Sequence, residues 1–108
     1  MAKYLVEVKY TAEGAQGVLK DGGTGRRKAV VDLMTSLNGS LEAFYFTFGE
    51  HDAILLIDLP DPESALAVAM SVRASGAIHS KMTPLLPVEE IDRAVALHVH
   101  YHPPGTQA

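Results

Sequence analysis

An α+β sandwich, in which helices cover one face of a four-stranded antiparallel sheet, is the fold class that this sequence predicts. Three observations carry the prediction. Residues 3–10 alternate apolar and polar side chains. Residues 41–60 hold two apolar, aromatic-rich runs that reverse at Gly49-Glu50-His51-Asp52. A helical amphipath stands on each side of that hairpin. With 108 residues, 47% of them hydrophobic, the chain has material for one core and is expected to form a single domain over 1–108, with a flexible tail from about 103.

Each element has its own signal. In the first strand Tyr4, Val6, Val8 and Tyr10 point one way and Lys3, Leu5, Glu7 and Lys9 the other, as in a half-buried strand. Thr11-Ala12-Glu13-Gly14 opens a short helical stretch to about Lys20, and Asp21-Gly22-Gly23-Thr24-Gly25 breaks it. Thr24 is the expected N-cap of the next helix, where Ala29, Val30, Leu33, Met34 and Leu37 recur at helical spacing until Asn38-Gly39. In the first hairpin strand, alternation places Glu42, Phe44, Phe46 and Phe48 on one face as a core stripe, and Leu41, Ala43, Tyr45 and Thr47 on the other. The second, Ala53–Leu59, is apolar on both faces, as in a strand inside a sheet.

Asp61-Pro62-Glu63 starts a helix with an N-cap followed by proline at the first helical position, and that helix runs to Ser75-Gly76. Its many alanines let it lie close to a sheet. A strand at Ile78–Thr83 and a third helix from Val88 to about His98 complete the order β-α-β-β-α-β with a C-terminal helix. Two split βαβ units of this length make a ferredoxin-like sandwich. One sheet face then has no helical cover, and it is apolar enough to predict that two copies pack through their sheets.

Composition excludes several function classes. Nine basic against thirteen acidic side chains give a net charge of −4, with no footprint for nucleic acid beyond the small cluster Arg26-Arg27-Lys28. The absence of cysteine removes disulfides, thiol nucleophiles and thiolate metal sites. No run approaches a membrane span, and the alternating N-terminus lacks the apolar core of a signal peptide, so a cytoplasmic protein is expected.

The residues also resemble a known family. Lys3-Tyr4-Leu5 with Tyr10-Thr11-Ala12-Glu13-Gly14, the Gly22-Gly23-Thr24 break with Arg26-Arg27, Leu41-Glu42-Ala43-Phe44-Tyr45, and Thr83-Pro84-Leu85-Leu86 are similar to the GYD-domain family over nearly the whole chain. These small bacterial proteins are related to dimeric α/β-barrel domains. The chain departs from their pattern at the name-giving turn, where His51 stands in place of the usual tyrosine. The resemblance implies the fold and self-association, and it supplies no catalytic residues.

Three groups of residues are candidates for chemistry. Tyr10, His51, Asp52 and His79 can gather around one small molecule, with a histidine beside a carboxylate as general base. Thr24, Arg26 and Arg27 stand where a glycine-rich turn feeds a helix and can hold an anion, although the run is neither a P-loop nor a dinucleotide fingerprint. The plain alternative pairs these arginines with Asp21, Asp32 or a partner subunit. His98, His100 and His102 alternate and can chelate a divalent metal if extended, or else hang in a tail.

The expectation is therefore a small homodimer, or a multiple of dimers, that binds a small ligand in or beside a sheet interface. No cofactor is predicted. The alternatives are a cofactor-independent monooxygenase, isomerase or cyclase with a histidine base, and a divalent-metal binder using the C-terminal histidines. A pocket shared by Tyr10, Asp58 and His79 would favour the enzyme.

Overall fold

Strand β1 (Ala2–Tyr10) forms the middle of the sheet in the computed structural model, which describes residues 1–106. It pairs antiparallel with β3 (Ala53–Leu59) on one side and with β4 (Ile78–Leu85) on the other. β2 (Ser40–Phe46) pairs with β3, giving the sheet order β2-β3-β1-β4 of a ferredoxin-like sandwich. The alternation in β1 buries Tyr4, Val6 and Val8 beneath helices α1 (Ala12–Ser36) and α2 (Pro62–Ala74). They pack with Ala53, Leu55, Ile57 and Leu59 of β3, Met34 of α1, and Ala65 and Val68 of α2.

The open face of the sheet carries the other set. Leu5, Leu56 and Ala43 of β1, β3 and β2 lie across it in register, with Thr83 beside Leu5. At one end of this face the Lys3 ammonium lies 2.7 Å from Glu42 Oε1 and 3.3 Å from Asp58 Oδ2. The Glu42 hydrogen bond, opposed by burial and assisted by Asp58, raises the Lys3 pKa above its ordinary value.

β2 departs from simple alternation. A bulge between Leu41 and Ala43 lets Leu41 face Ile57 and Phe44 face Leu55, so both turn toward the helices. Glu42 and Phe44 therefore do not share a face. The expected aromatic core stripe is also shorter: Phe44 packs on the core, Phe46 is only half-covered at 44% exposure, and Phe48 lies beyond the strand and is exposed. The β2–β3 connection spans residues 47–52 and is closed by the Thr47 N–H donating to the Asp52 carbonyl. Gly49 within it has φ 146°, a conformation that disfavours side chains.

α1 is two helical segments meeting at a kink, and the kink falls inside the expected break. Gly22, at φ 72° and ψ 172°, is the residue that leaves the helical region, so Thr24, expected as the N-cap, already has helical backbone two residues beyond it. The N-cap is Thr11, whose hydroxyl accepts from the Gly14 N–H at 3.1 Å and donates to the Gly76 carbonyl at 2.9 Å. At the other end Asn38, with φ 59°, and the Gly39 N–H donating to Met34 O stop the helix as expected. α2 begins on the Asp61 cap, whose carboxylate accepts from the Ser64 N–H at 2.8 Å. That bond holds the Asp61 carboxyl below the usual carboxylate range.

β4 runs through Pro84 to Leu85, two residues past its expected end. Proline is tolerated because β4 is an edge strand, bonded only to β1. Helix α3 (Val88–Val95) follows Pro87 and stops before His98. None of its residues is buried, and Val88, Ile91 and Val95 all stand more than half exposed along one face. The radius of gyration is 17.7 Å, against about 13 Å for a compact domain of ~100 residues, so α3 projects from the body. Among the described residues no helix is long and apolar enough to cross a membrane. The tail expected from 103 forms a turn closed by the Thr106 N–H on Pro103 O, and residues 107–108 lie outside the described residues.

Candidate functional site: an apolar chamber between sheet and helices

α1 and α2 do not close over the sheet completely. They leave a chamber of about 210 Å³ between them, floored by Val6, Val8 and Leu55 and walled by Val30, Met34 and Val68. The local sequence explains the gap. The core side of α2 is set by Ala65 and Val68, small residues that project little volume, and the kink at Gly22 redirects α1 where it crosses the sheet. The chamber continues outward into a more polar cleft beside Glu13, Asp21 and Ser75. Tyr10 and Arg26 line both compartments and so mark the passage between them.

Arg26 is the chamber's one charged lining residue. Its side chain is 25% exposed and its nearest carboxylate is Asp21, with Nη1 and Oδ2 3.9 Å apart. The Nε–H is buried and has no hydrogen-bond partner. A guanidinium stays charged in proteins, and a buried donor without a partner costs about 1–3 kcal/mol, more when charged. The group is held in place with part of its hydrogen-bonding capacity unspent. Arg27 and Thr24 instead border a separate surface depression with Phe44 and Phe46. The expected anion trio is thus divided, with Arg26 alone at the chamber.

The group Tyr10, His51, Asp52 and His79 is divided as well. Tyr10 belongs to the helix-covered face. Asp52 is occupied structurally: its carboxylate accepts from the Tyr10 N–H at 2.9 Å, and its own N–H donates to Val8 O. His51 and His79 both line a polar depression on the opposite side, with Glu7, Lys9 and Lys81. There His51 Nδ1 lies 3.4 Å from Glu7 Oε2. An imidazole held by a carboxylate is the arrangement of a general base. Glu7 was not among the candidates, yet its position on the open face of β1, opposite Lys81, follows from the same alternation. Tyr10 and His79 line different depressions, and Asp58 pairs with Lys3.

The C-terminal histidines follow α3 in irregular chain. The His100 and His102 Nε2 atoms are 3.0 Å apart, and both rings are exposed. Among the described residues no group of three potential ligands converges on a metal position.

Fold and site together define a small ferredoxin-like α+β domain with a chamber between its two layers. The chain belongs to the GYD domain family, whose model matches residues 4–95. The match ends with α3 and leaves the three C-terminal histidines outside it. No curated protein matches the chain.

Proposed function

We propose that this chain is a small-ligand-binding domain that works as a homodimer and holds its ligand in the chamber between helices and sheet. The chamber itself carries the reading. Protein interiors are close-packed, and this chamber leaves about 210 Å³ of apolar space beside the core unfilled. Water gains little in a space with so few polar partners, whereas an apolar molecule recovers the lost contacts.

Self-association rests on two uncovered apolar surfaces in one chain, the open sheet face and the Val88-Ile91-Val95 stripe of α3. Two-fold pairing covers both surfaces on both copies at once. Such an interface buries at least ~1,000 Å².

The test is calorimetric titration with the neutral probe 4-methylbenzamide, with Val30→Phe as a variant that fills the chamber. Saturable binding that Val30→Phe abolishes supports the reading, and no binding to the wild type at millimolar probe overturns it. Sedimentation at micromolar concentration should give twice the 11.6 kDa chain mass, and Ile91→Asp should lower it. A single 11.6 kDa species refutes the dimer. The His51–Glu7 pair favours a second reading, acid–base catalysis on the open face once a second copy excludes water from it. Loss of deuterium exchange into small carbonyl compounds in His51→Gln would support that reading, and no exchange by the wild type would dismiss it.

A further inference from the structure

We infer that the chamber's ligand is a compact apolar monocarboxylate whose anionic head pairs with Arg26 and whose body fills the space above Val6 and Leu55. This rests on the chamber reading and adds the chemical class of what the chamber holds.

Three observations converge on that class. The first is the position of Arg26 at the junction of an apolar inner compartment and a polar outer cleft. A ligand lying across the junction meets hydrocarbon on one side and a guanidinium on the other, so it must be amphipathic with its charge at one end. The second is the state of the guanidinium. Its Nε–H is buried without a partner, and its contact with Asp21 is long, at 3.9 Å. A carboxylate is planar and can take two parallel N–H bonds from a guanidinium fork, which would give Arg26 a closer partner than Asp21. The third is size. A dry cavity of roughly 150 Å³ admits benzene. At about 210 Å³ the inner chamber has room for one substituted ring or a short alkyl chain.

The polar groups around Arg26 limit the alternatives. Asp21 and Glu13 border the outer cleft, so a head group of higher negative charge meets carboxylates as well as the arginine. A monoanion is the better electrostatic match. Tyr10, on the rim of both compartments, supplies a phenol that can donate to the same head group.

The experiment compares 4-methylbenzoate with 4-methylbenzamide, two probes of nearly equal shape that differ in charge. Calorimetric titration of the wild-type chain should show the carboxylate binding at least ten-fold more tightly than the amide. Arg26→Gln should remove that preference, and its urea midpoint measured beside that of the wild type shows whether the variant is folded. Arg26→Lys should keep part of the preference, because the charge remains and the fork is lost. Equal binding of the two probes to the wild type, or a preference that survives Arg26→Gln, overturns the inference and leaves the chamber reading intact. Failure of both probes to bind overturns the chamber reading as well.

Discussion

Gly14 and Gly17 lie one turn apart in the first segment of α1, and replacing each by alanine should have opposite effects. Helix propensity alone favours alanine by about 1 kcal/mol at either position. At Gly17 a Cβ meets nothing within 4 Å, so that gain should be realised. At Gly14 an added Cβ runs into the backbone carbonyl oxygen of Ala77. The Ala77 segment cannot withdraw freely. Its carbonyl accepts the Thr11 N–H at 3.0 Å, and the neighbouring Gly76 carbonyl accepts the Thr11 hydroxyl at 2.9 Å. Opening a gap for the methyl group breaks both bonds, at about 1 kcal/mol each, and disturbs a cap worth about another 1 kcal/mol.

The expected balance is a loss of about 2 kcal/mol for Gly14→Ala and a gain of 0.5 to about 1 kcal/mol for Gly17→Ala. At a urea slope of roughly 1.5 kcal/mol/M the two midpoints should differ by about 2 M. The assay is urea unfolding followed by far-ultraviolet circular dichroism, at one protein concentration because association shifts the midpoint. Equal midpoints for the two variants would refute the argument, since propensity would then outweigh the contact with Ala77.

Two further outcomes follow from the structure. The Asp61 carboxyl titrates below its usual range in the folded chain, so its contribution is complete above the unfolded pKa of about 4 and is lost as pH falls through the lowered value. The stability difference between wild type and Asp61→Asn, measured by urea midpoint, should therefore shrink as pH falls below about 4; a constant difference would mean the carboxylate's charge is irrelevant to the cap. The C-terminal histidines present two nitrogens 3.0 Å apart and no third ligand among the described residues. Calorimetry with Ni²⁺ should then give only near-millimolar affinity, whereas stoichiometric metal retained through purification and lost from a chain ending at Leu97 would establish a site.

The fold was legible because its main signals are local. Alternation in β1 names the buried residues correctly, and Asp61-Pro62 marks the start of α2. Alternation failed in β2, since a bulge leaves no mark in a pattern of apolar and polar residues. The glycines at 22, 23 and 25 suggested a loop because each disfavours helix, yet only Gly22 leaves the helical region. The chamber was not legible at all. It depends on how far apart two helices sit, and its sequence traces, the small residues of α2 and the glycine at the α1 kink, do not fix that distance. Arg26 was singled out for the glycine-rich turn before it, whereas its place at the chamber comes from the direction of α1 beyond the kink. Tyr10 and His79 looked like neighbours until strand register was known. His79 pairs with Lys9, one residue before Tyr10, and that single step puts the two side chains on opposite faces.

The position of α3 has a consequence for how the chain comes apart. The four strands and two covering helices are complete by Leu85, and α3 takes no part in their core. The arm and the sandwich are therefore separate units of stability, and the amides of Val88–Val95 should exchange with solvent while those of β1 and β3 stay protected.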